Sequence, residues 1–450
     1  MVVLSTGTIR DILARRVEQQ KQAVGIVTGV IEPKGRRVVA HGCLSNGDPR
    51  AIDADTIFEI GSVSKVFTSL VLADMVHRNE VTLDDPAATY LPDHVTMPER
   101  NGRRITLRDL STHTSGLPRL PSNLKPIDPR NPYADYSVND LYEFLSGYEL
   151  QRDPGAEFEY SNLGAGLLGH LLAYRAGTDY ESLIRDRITE PLNMRDTSIT
   201  LSSSMKQRMA TGHSGMLVSV DNWDFLTLAG AGALRSSAND MLTLLEAFLG
   251  YRESPLAPAM KTMLDVRSPV AKMGLGWFIS SAHNHEIAGH DGGTGGFRTW
   301  VGYDLEERIG VVVLSNASTS IGVFDIGMHL LDPEWPLANP EAPRQRTEVQ
   351  IDPELLDHYT GRYQLAPGSI LEITREGDLL FVQPFAQAPH SRPGDLTGGP
   401  KFELSAEGEK NFFNKTTGSQ IAFETGPEGR ATSLVMHRAG REPTVAPRLS

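Results

Sequence analysis

Phe58-Glu-Ile-Gly-Ser-Val-Ser-Lys65 sets a serine directly after a glycine and a lysine three residues further on, with Val66, Leu70 and Ala73 continuing an apolar side. The pattern predicts a helix that opens at Ser62. Positions i and i+3 share a helix face, so Lys65 would stand one turn from the Ser62 hydroxyl. A serine hydroxyl attacks only when a neighbouring group takes its proton, so the pair points to nucleophilic catalysis. A helix start also turns backbone N–H groups and the positive dipole end towards the serine oxygen. The same spelling would serve an N-cap serine followed by a solvated lysine.

Two other tetrads share the spacing, Ser122-Asn-Leu-Lys125 and Ser203-Ser-Met-Lys206. The first lies in Leu117–Tyr133, where Pro118, Pro121, Pro126, Pro129 and Pro132 block helix and predict a long irregular loop. A loop of that length reads as a cleft wall, a lid or an ordinary surface excursion. The second sits in a serine run without a preceding glycine and with weak apolar continuation.

Further along, Tyr160-Ser-Asn162 follows the turn Asp153-Pro-Gly155 and precedes an apolar helix over Leu163–Tyr174. A tyrosine beside a lysine is expected to ionise in part, and could then exchange a proton with the serine and the leaving group. Asn162 offers an amide for a substrate carbonyl or for the lysine; a buried tyrosine with a capping asparagine is the structural reading. His290-Asp-Gly292 lies in Gly289–Phe297, where five glycines in nine residues imply close backbone approach, as at a strand edge that receives a ligand. His213-Ser-Gly215 repeats the spelling on less strand-like flanks. His283-Asn-His285-Glu286 with His290 imitates a metal site, but histidines at i and i+2 do not share a helix face, and no metal or other cofactor is expected.

The 450 residues carry 43 Lys and Arg against 56 Asp and Glu, a net charge of −13, which argues against nucleic-acid phosphates and anionic membranes as partners. Cys43 stands alone, so no intramolecular disulfide and no four-cysteine zinc site can form. Neither a signal segment nor a long apolar span is visible, so a cytoplasmic location is expected.

A helix is expected over residues 8 to 22, a hairpin over Gly25–Ile31 and Arg37–His41, a mainly helical stretch over Ser62–Leu249, then strands at Gly274–Ile279, Phe297–Tyr303 and Arg308–Leu314. The expected fold is α/β: one antiparallel sheet built from both ends of residues 1–335, flanked by helices, with an inserted all-α subdomain. Residues 336–348 read as a proline-rich linker. Seven short β runs in 349–450 predict a small β-barrel or sandwich.

Taken in order, Ser62-x-x-Lys65, Tyr160-x-Asn162 and His290-x-Gly292 resemble the penicillin-recognising serine hydrolases: class C β-lactamases, serine D,D-peptidases, D-aminopeptidases and family VIII carboxylesterases. The flanking strings Thr106-Leu-Arg-Asp-Leu-Ser-Thr-His-Thr-Ser-Gly-Leu117 and Gly293-Thr-Gly-Gly-Phe297 extend the resemblance over residues 8 to 330. It implies a β-lactamase/transpeptidase-like fold and acyl-enzyme chemistry. Ser62 would be the nucleophile, Lys65 and Tyr160 the proton-transfer pair, and Asn162, His290, Gly292 and Gly293 the substrate-binding residues. The N–H groups of Ser62 and Gly293 would form the oxyanion hole. Class C enzymes carry Lys-Thr-Gly where this chain has His290; a histidine would supply the substrate-facing charge only in part near neutral pH. His358-Tyr-Thr-Gly-Arg-Tyr363 and the strands after it resemble the lipocalin-like domain attached to some of these hydrolases.

The expected function is therefore a serine hydrolase acting on a small-molecule ester, amide or β-lactam, foremost carboxylesterase-like. A D-amino-acid peptidase, a β-lactamase and a non-catalytic penicillin-binding or scaffold protein are the alternatives. A homo-oligomer is left open.

Overall fold

The computed structural model describes residues 4–282, 285–343, 346–387, 396–399, 401–437 and 442–449. The chain forms two compact units, one of residues 1–213 and 219–341, the other of 214–218 and 342–450.

The first unit is built on a seven-stranded antiparallel sheet. Its strands are β1 (Gly25–Glu32), β2 (Gly35–Ser45), β3 (Asp48–Ala51), β4 (Phe278–Ala282), β5 (His285–Gly293), β6 (Arg298–Asp304) and β7 (Ile309–Ser315). The order is β4-β5-β6-β7-β1-β2-β3, so strands from the two ends of the unit meet where Gly29 of β1 pairs with Val312 of β7. Helices cover both faces. A side chain at Gly29 would run into Leu242 of a helix at Ala238–Phe248, which therefore packs close against that face. On the other face, Trp300 presses on Gly327 of a helix at Phe324–Leu331. The N-terminal helix Thr6–Ala14, continued by a wider turn over Arg15–Gln19, is tied to the latter by a buried ion pair, Arg16 to Asp325 at 2.6 Å.

Between β3 and β4 lies the expected helical region. Its centre is a helix at Ser64–His77 whose residues Ser64–Met75 are all buried, as its apolar character all round requires. A second apolar helix, Asn162–Ala176, is capped by Ser161, whose hydroxyl accepts the Gly164 N–H at 2.8 Å.

Where a strand was expected at Gly274–Ile279, the chain first makes a tight turn, with Gly276 at φ +69° and the Gly274 N–H bonded to the Trp277 carbonyl, and β4 begins only at Phe278. The glycine-rich run was expected beside a strand; its first part, to Gly293, is itself a strand, in which Gly289 is paired on both sides and His290–Gly293 pair with β6 alone. Pairing with β6 overrides the weak β-propensity of glycine there.

Among the described residues the second unit is β apart from a 3-10 helix at Pro353–His358. Strands β8 (Gly361–Ala366), β9 (Ser369–Glu376), β10 (Leu379–Gln387), β11 (Phe402–Gly408), β12 (Asn411–Phe413), β13 (Gln420–Thr425), β14 (Ala431–His437) and β15 (Thr444–Pro447) follow one another antiparallel. A bridge between Tyr363 and Arg448 brings the last strand back to the first, so the barrel is nearly closed around Tyr363, Leu371, Leu380, Phe412, Phe423 and Leu434. Among the described residues no helix is long and apolar enough to cross a membrane.

Candidate active site

Ser62 lies in a short 3-10 turn, Gly61–Val63, that leads into the buried helix at Ser64–His77. No side chain caps that helix, so Ser62 is not an N-cap. The turn is pressed against the end of β5. Gly61 has φ +50°, and a Cβ there would lie 2.6 Å from the Gly293 nitrogen. A Cβ on Gly292 would lie 2.1 Å from the Ile60 carbonyl oxygen and 2.2 Å from Thr299 Oγ1. Both glycines are there because the two backbones touch.

Lys65 is buried, and its Nζ meets three oxygens: Ser62 Oγ at 2.9 Å, Asn162 Oδ1 at 2.9 Å and the Ala231 carbonyl at 2.6 Å. None of the three is a carboxylate. Burial, and after it the charge of Arg119, pushes the amine well below the usual lysine range, against a smaller opposing pull from Asp291.

Tyr160 borders the same space. Its hydroxyl interacts with Ser62, and Lys65 Nζ lies 4.9 Å from its ring centre. Burial raises the phenol far above its ordinary value, and the Ser62 contact offsets this only in part. The expected partial phenolate is thereby corrected: desolvation outweighs the nearby cations, and the phenol keeps its proton.

His113, which the sequence reading quoted only as part of a string, holds this tyrosine. It is buried at φ +57°, its ring 4.4 Å from that of Tyr160, and its Nδ1 accepts the Ser161 N–H at 3.1 Å. That bond fixes the tautomer with the proton on Nε2, and burial, with Lys65 next, drives the imidazole well below its ordinary pKa. The Arg119 guanidinium lies 5.1 Å from the Tyr160 ring centre.

Asn162 is the first residue of its helix, and its backbone N–H is held by the Arg119 carbonyl at 3.0 Å. Its Nδ2 donates to the Tyr133 hydroxyl at 3.0 Å. Tyr133 closes the proline-rich loop, stacks on Phe225 at 4.4 Å and meets Trp223 edge-on at 5.7 Å. The Trp223 segment is fixed in turn: its N–H donates to Glu59 at 2.9 Å, and Arg235 donates to its carbonyl at 2.9 Å.

His290 shares a sheet face with Ala288 and with Val301, its partner across the strands, and points into the site, its ring 6.3 Å from that of Tyr160 and 5.2 Å from that of Phe278. Its Nδ1 donates to the Asp291 carbonyl at 2.6 Å, so the proton is there, and the buried Nε2 has no hydrogen-bond partner among the described residues. Burial lowers its pKa to about 4. The partial positive charge expected of it at neutral pH is therefore corrected: the imidazole is neutral and offers a lone pair.

The structure thus brings together Ser62, Lys65, Tyr160, Asn162, His290, Gly292 and Gly293. The remaining candidates stand apart. Ser122 and Lys125 are exposed on the proline loop, and Ser203 opens a short exposed helix. His213 is buried against the Asn316 carbonyl, 3.0 Å from its Nδ1. His285 lies 3.2 Å from Asp304, while His283 falls outside the described residues. Among the described residues no three His, Cys, Asp or Glu side chains gather as a metal site.

Comparison with known proteins finds matches for both parts of the chain. Residues 9–327 match the family profile described as Beta-lactamase, and residues 345–447 match one described as Domain of unknown function (DUF3471). The D-alanyl-D-alanine-carboxypeptidase/endopeptidase AmpH of Escherichia coli is 30% identical over 316 residues, covering 66% of this chain and 80% of that protein. A beta-lactamase/D-alanine carboxypeptidase from Yersinia pestis, solved with citrate, superimposes with a TM-score of 0.62 at 27% identity, over 70% of this chain and 93% of that one. An octameric penicillin-binding protein homologue from Pyrococcus abyssi shares the fold over 98% of this chain and 100% of its own, with a TM-score of 0.65 at 21% identity.

Proposed function

The chain belongs to the beta-lactamase family of serine hydrolases, whose members act through an acyl-enzyme, and on that premise we propose that Ser62 is its nucleophile, acylated by an ester or amide substrate. The observation that carries the reading is the set of partners around Lys65 Nζ. A neutral amine has two N–H donors and one lone pair. Asn162 Oδ1 and the Ala231 carbonyl can only accept, so they take the two N–H groups. The lone pair is left facing Ser62, the one partner of the three able to donate.

Lys65 accordingly takes the Ser62 proton as Oγ bonds to the substrate carbonyl carbon. The negative oxygen so formed is received by the N–H groups of Ser62 and Gly293. As the tetrahedral species collapses, the bond to the leaving group breaks. The neutral Tyr160 phenol protonates that group and is itself reprotonated from Lys65. Water then follows the same route in reverse to free Ser62. Asn162, His290, Gly292 and Gly293 bind the substrate.

A carboxylesterase-like preference fits best. Neutral His290 presents a lone pair where a carboxylate-binding site needs a fixed cation. A second reading, hydrolysis of D-alanyl peptides, is favoured by the relative named for that activity. Short p-nitrophenyl esters, D-alanyl-D-alanine peptides and cephalosporins compared by kcat/KM rank the readings. Esters should lead, and Ser62→Ala should abolish all turnover. A wild-type enzyme fastest on the D-alanyl peptide would replace the esterase reading and leave Ser62 in place. Turnover by Ser62→Ala would overturn the mechanism.

A further inference from the structure

We propose that Tyr133 is a positioning residue for the reaction: its hydroxyl anchors the Asn162 amide with Oδ1 towards Lys65, the orientation that leaves the Lys65 lone pair for Ser62. The inference rests on the proposed role of Ser62 and Lys65 and adds what keeps that pair correctly polarised.

Asn162 has a fixed backbone at the start of its helix but a side chain with two unlike ends. With Oδ1 towards Lys65 it accepts an N–H, and the amine lone pair remains for Ser62. Turned over, it would bring Nδ2 to Lys65, donate into that lone pair and leave Ser62 with nothing to receive its proton. In the structure Nδ2 is occupied elsewhere, by the Tyr133 oxygen at 3.0 Å. That oxygen is itself immobile. The ring is buried, stacked on Phe225 and edge-on to Trp223. The two segments carrying these rings are stitched together by Asn131 and Asp224, with bonds of 2.8 and 3.0 Å, and by the Thr227 hydroxyl on the Tyr136 carbonyl at 2.6 Å. The proline-rich loop thus delivers one phenol oxygen to one amide.

Tyr133→Phe removes the oxygen and keeps the stacked ring, so the variant should fold as the parent does. Losing one neutral hydrogen bond of this kind should lower acylation kcat/KM about tenfold. The pH profile should move as well. A loosened Asn162 no longer supports the ammonium form of Lys65, so the acid limb shifts to lower pH. Tyr133→Phe added to Asn162→Ala should cost nothing further, because the tyrosine acts through that amide. Equal activity and an unmoved profile in Tyr133→Phe, with a loss only in Tyr133→Leu, would reduce Tyr133 to an aromatic wall and overturn the proposal. So would losses that multiply fully with Asn162→Ala. Ser62→Ala run alongside separates the two failures: an inert Ser62→Ala with a silent Tyr133→Phe refutes only the positioning role, whereas an active Ser62→Ala refutes the catalytic reading and this inference with it.

Discussion

Replacing Gly292 by alanine tests whether the end of β5 sets the position of Ser62. The new Cβ would start 2.1 Å from the Ile60 carbonyl oxygen and 2.2 Å from Thr299 Oγ1. An unstrained carbon–oxygen contact is about 3.3 Å, so one of the two backbones must retreat by roughly 1 Å. Thr299 cannot simply turn away, since its hydroxyl donates to that same Ile60 carbonyl at 2.9 Å. Ile60 precedes Gly61 and Ser62, so the shift passes to the attacking oxygen. A misplacement of about 1 Å in such a site costs on the order of 10² in rate. Overpacking of this size also costs about 1–3 kcal/mol of stability. We therefore expect Gly292→Ala to lose about a hundredfold in kcat/KM on a p-nitrophenyl ester while remaining folded by circular dichroism at 25 °C. Gly147→Ala, where a Cβ meets nothing within 4 Å, serves as the control. A folded Gly292→Ala within threefold of the parent would refute the claim that these backbones fix the nucleophile.

Lys65→Ala and Tyr160→Phe should each lose about 10² to 10⁴ in rate, and the double variant should be little worse than the poorer single one; fully multiplicative losses would show two independent groups. Arg119→Gln removes a positive charge that holds the Lys65 amine down, so Lys65 should titrate at higher pH and the acid limb of kcat/KM should move up; an unmoved limb would show that this charge is screened. With His290 titrating at about 4, the ratio of ester to cephalosporin turnover should stay flat from pH 8 to pH 6, and His290→Lys should shift it towards the cephalosporin. A ratio that falls through pH 6.5 in the parent would mean that His290 is charged there.

The parts of the site that recur at short spacing were legible in the sequence. Ser62 and Lys65 are one helical turn apart, Tyr160 and Asn162 flank a helix start, and His290 sits among glycines that only a close approach explains. What could not be read comes from loops without periodicity. Tyr133 reaches Asn162 from 29 residues away, and Lys65 takes the Ala231 carbonyl from 166 residues away, a backbone group that no side-chain pattern marks. His113 left one faint signal, its place before Thr-Ser-Gly, where the chain must turn. Burial was equally invisible, and it decided the protonation states: Tyr160 and His290 were expected to carry partial charge, and desolvation keeps both neutral. In the second unit each of the seven β runs expected overlaps a strand; the run at Phe412–Lys415 is strand only as far as Phe413, and Arg438, the end of the last run, lies outside the described residues. The strand that brings the barrel round, Thr444–Pro447, was missed because its proline argues against β structure; it pairs along one side with β14, and Arg448 beyond it bridges to Tyr363.

Whether a covalent acyl group resides on Ser62 during turnover is read by peptide mass spectrometry of enzyme quenched during hydrolysis of a p-nitrophenyl ester and, separately, after exposure to a fluorescent penicillin. The peptide containing Ser62 should gain the mass of the acyl group, and the same peptide of Ser62→Ala should not. An adduct on Ser122, Ser203 or any other residue, with Ser62→Ala still turning over, would contradict acylation at Ser62.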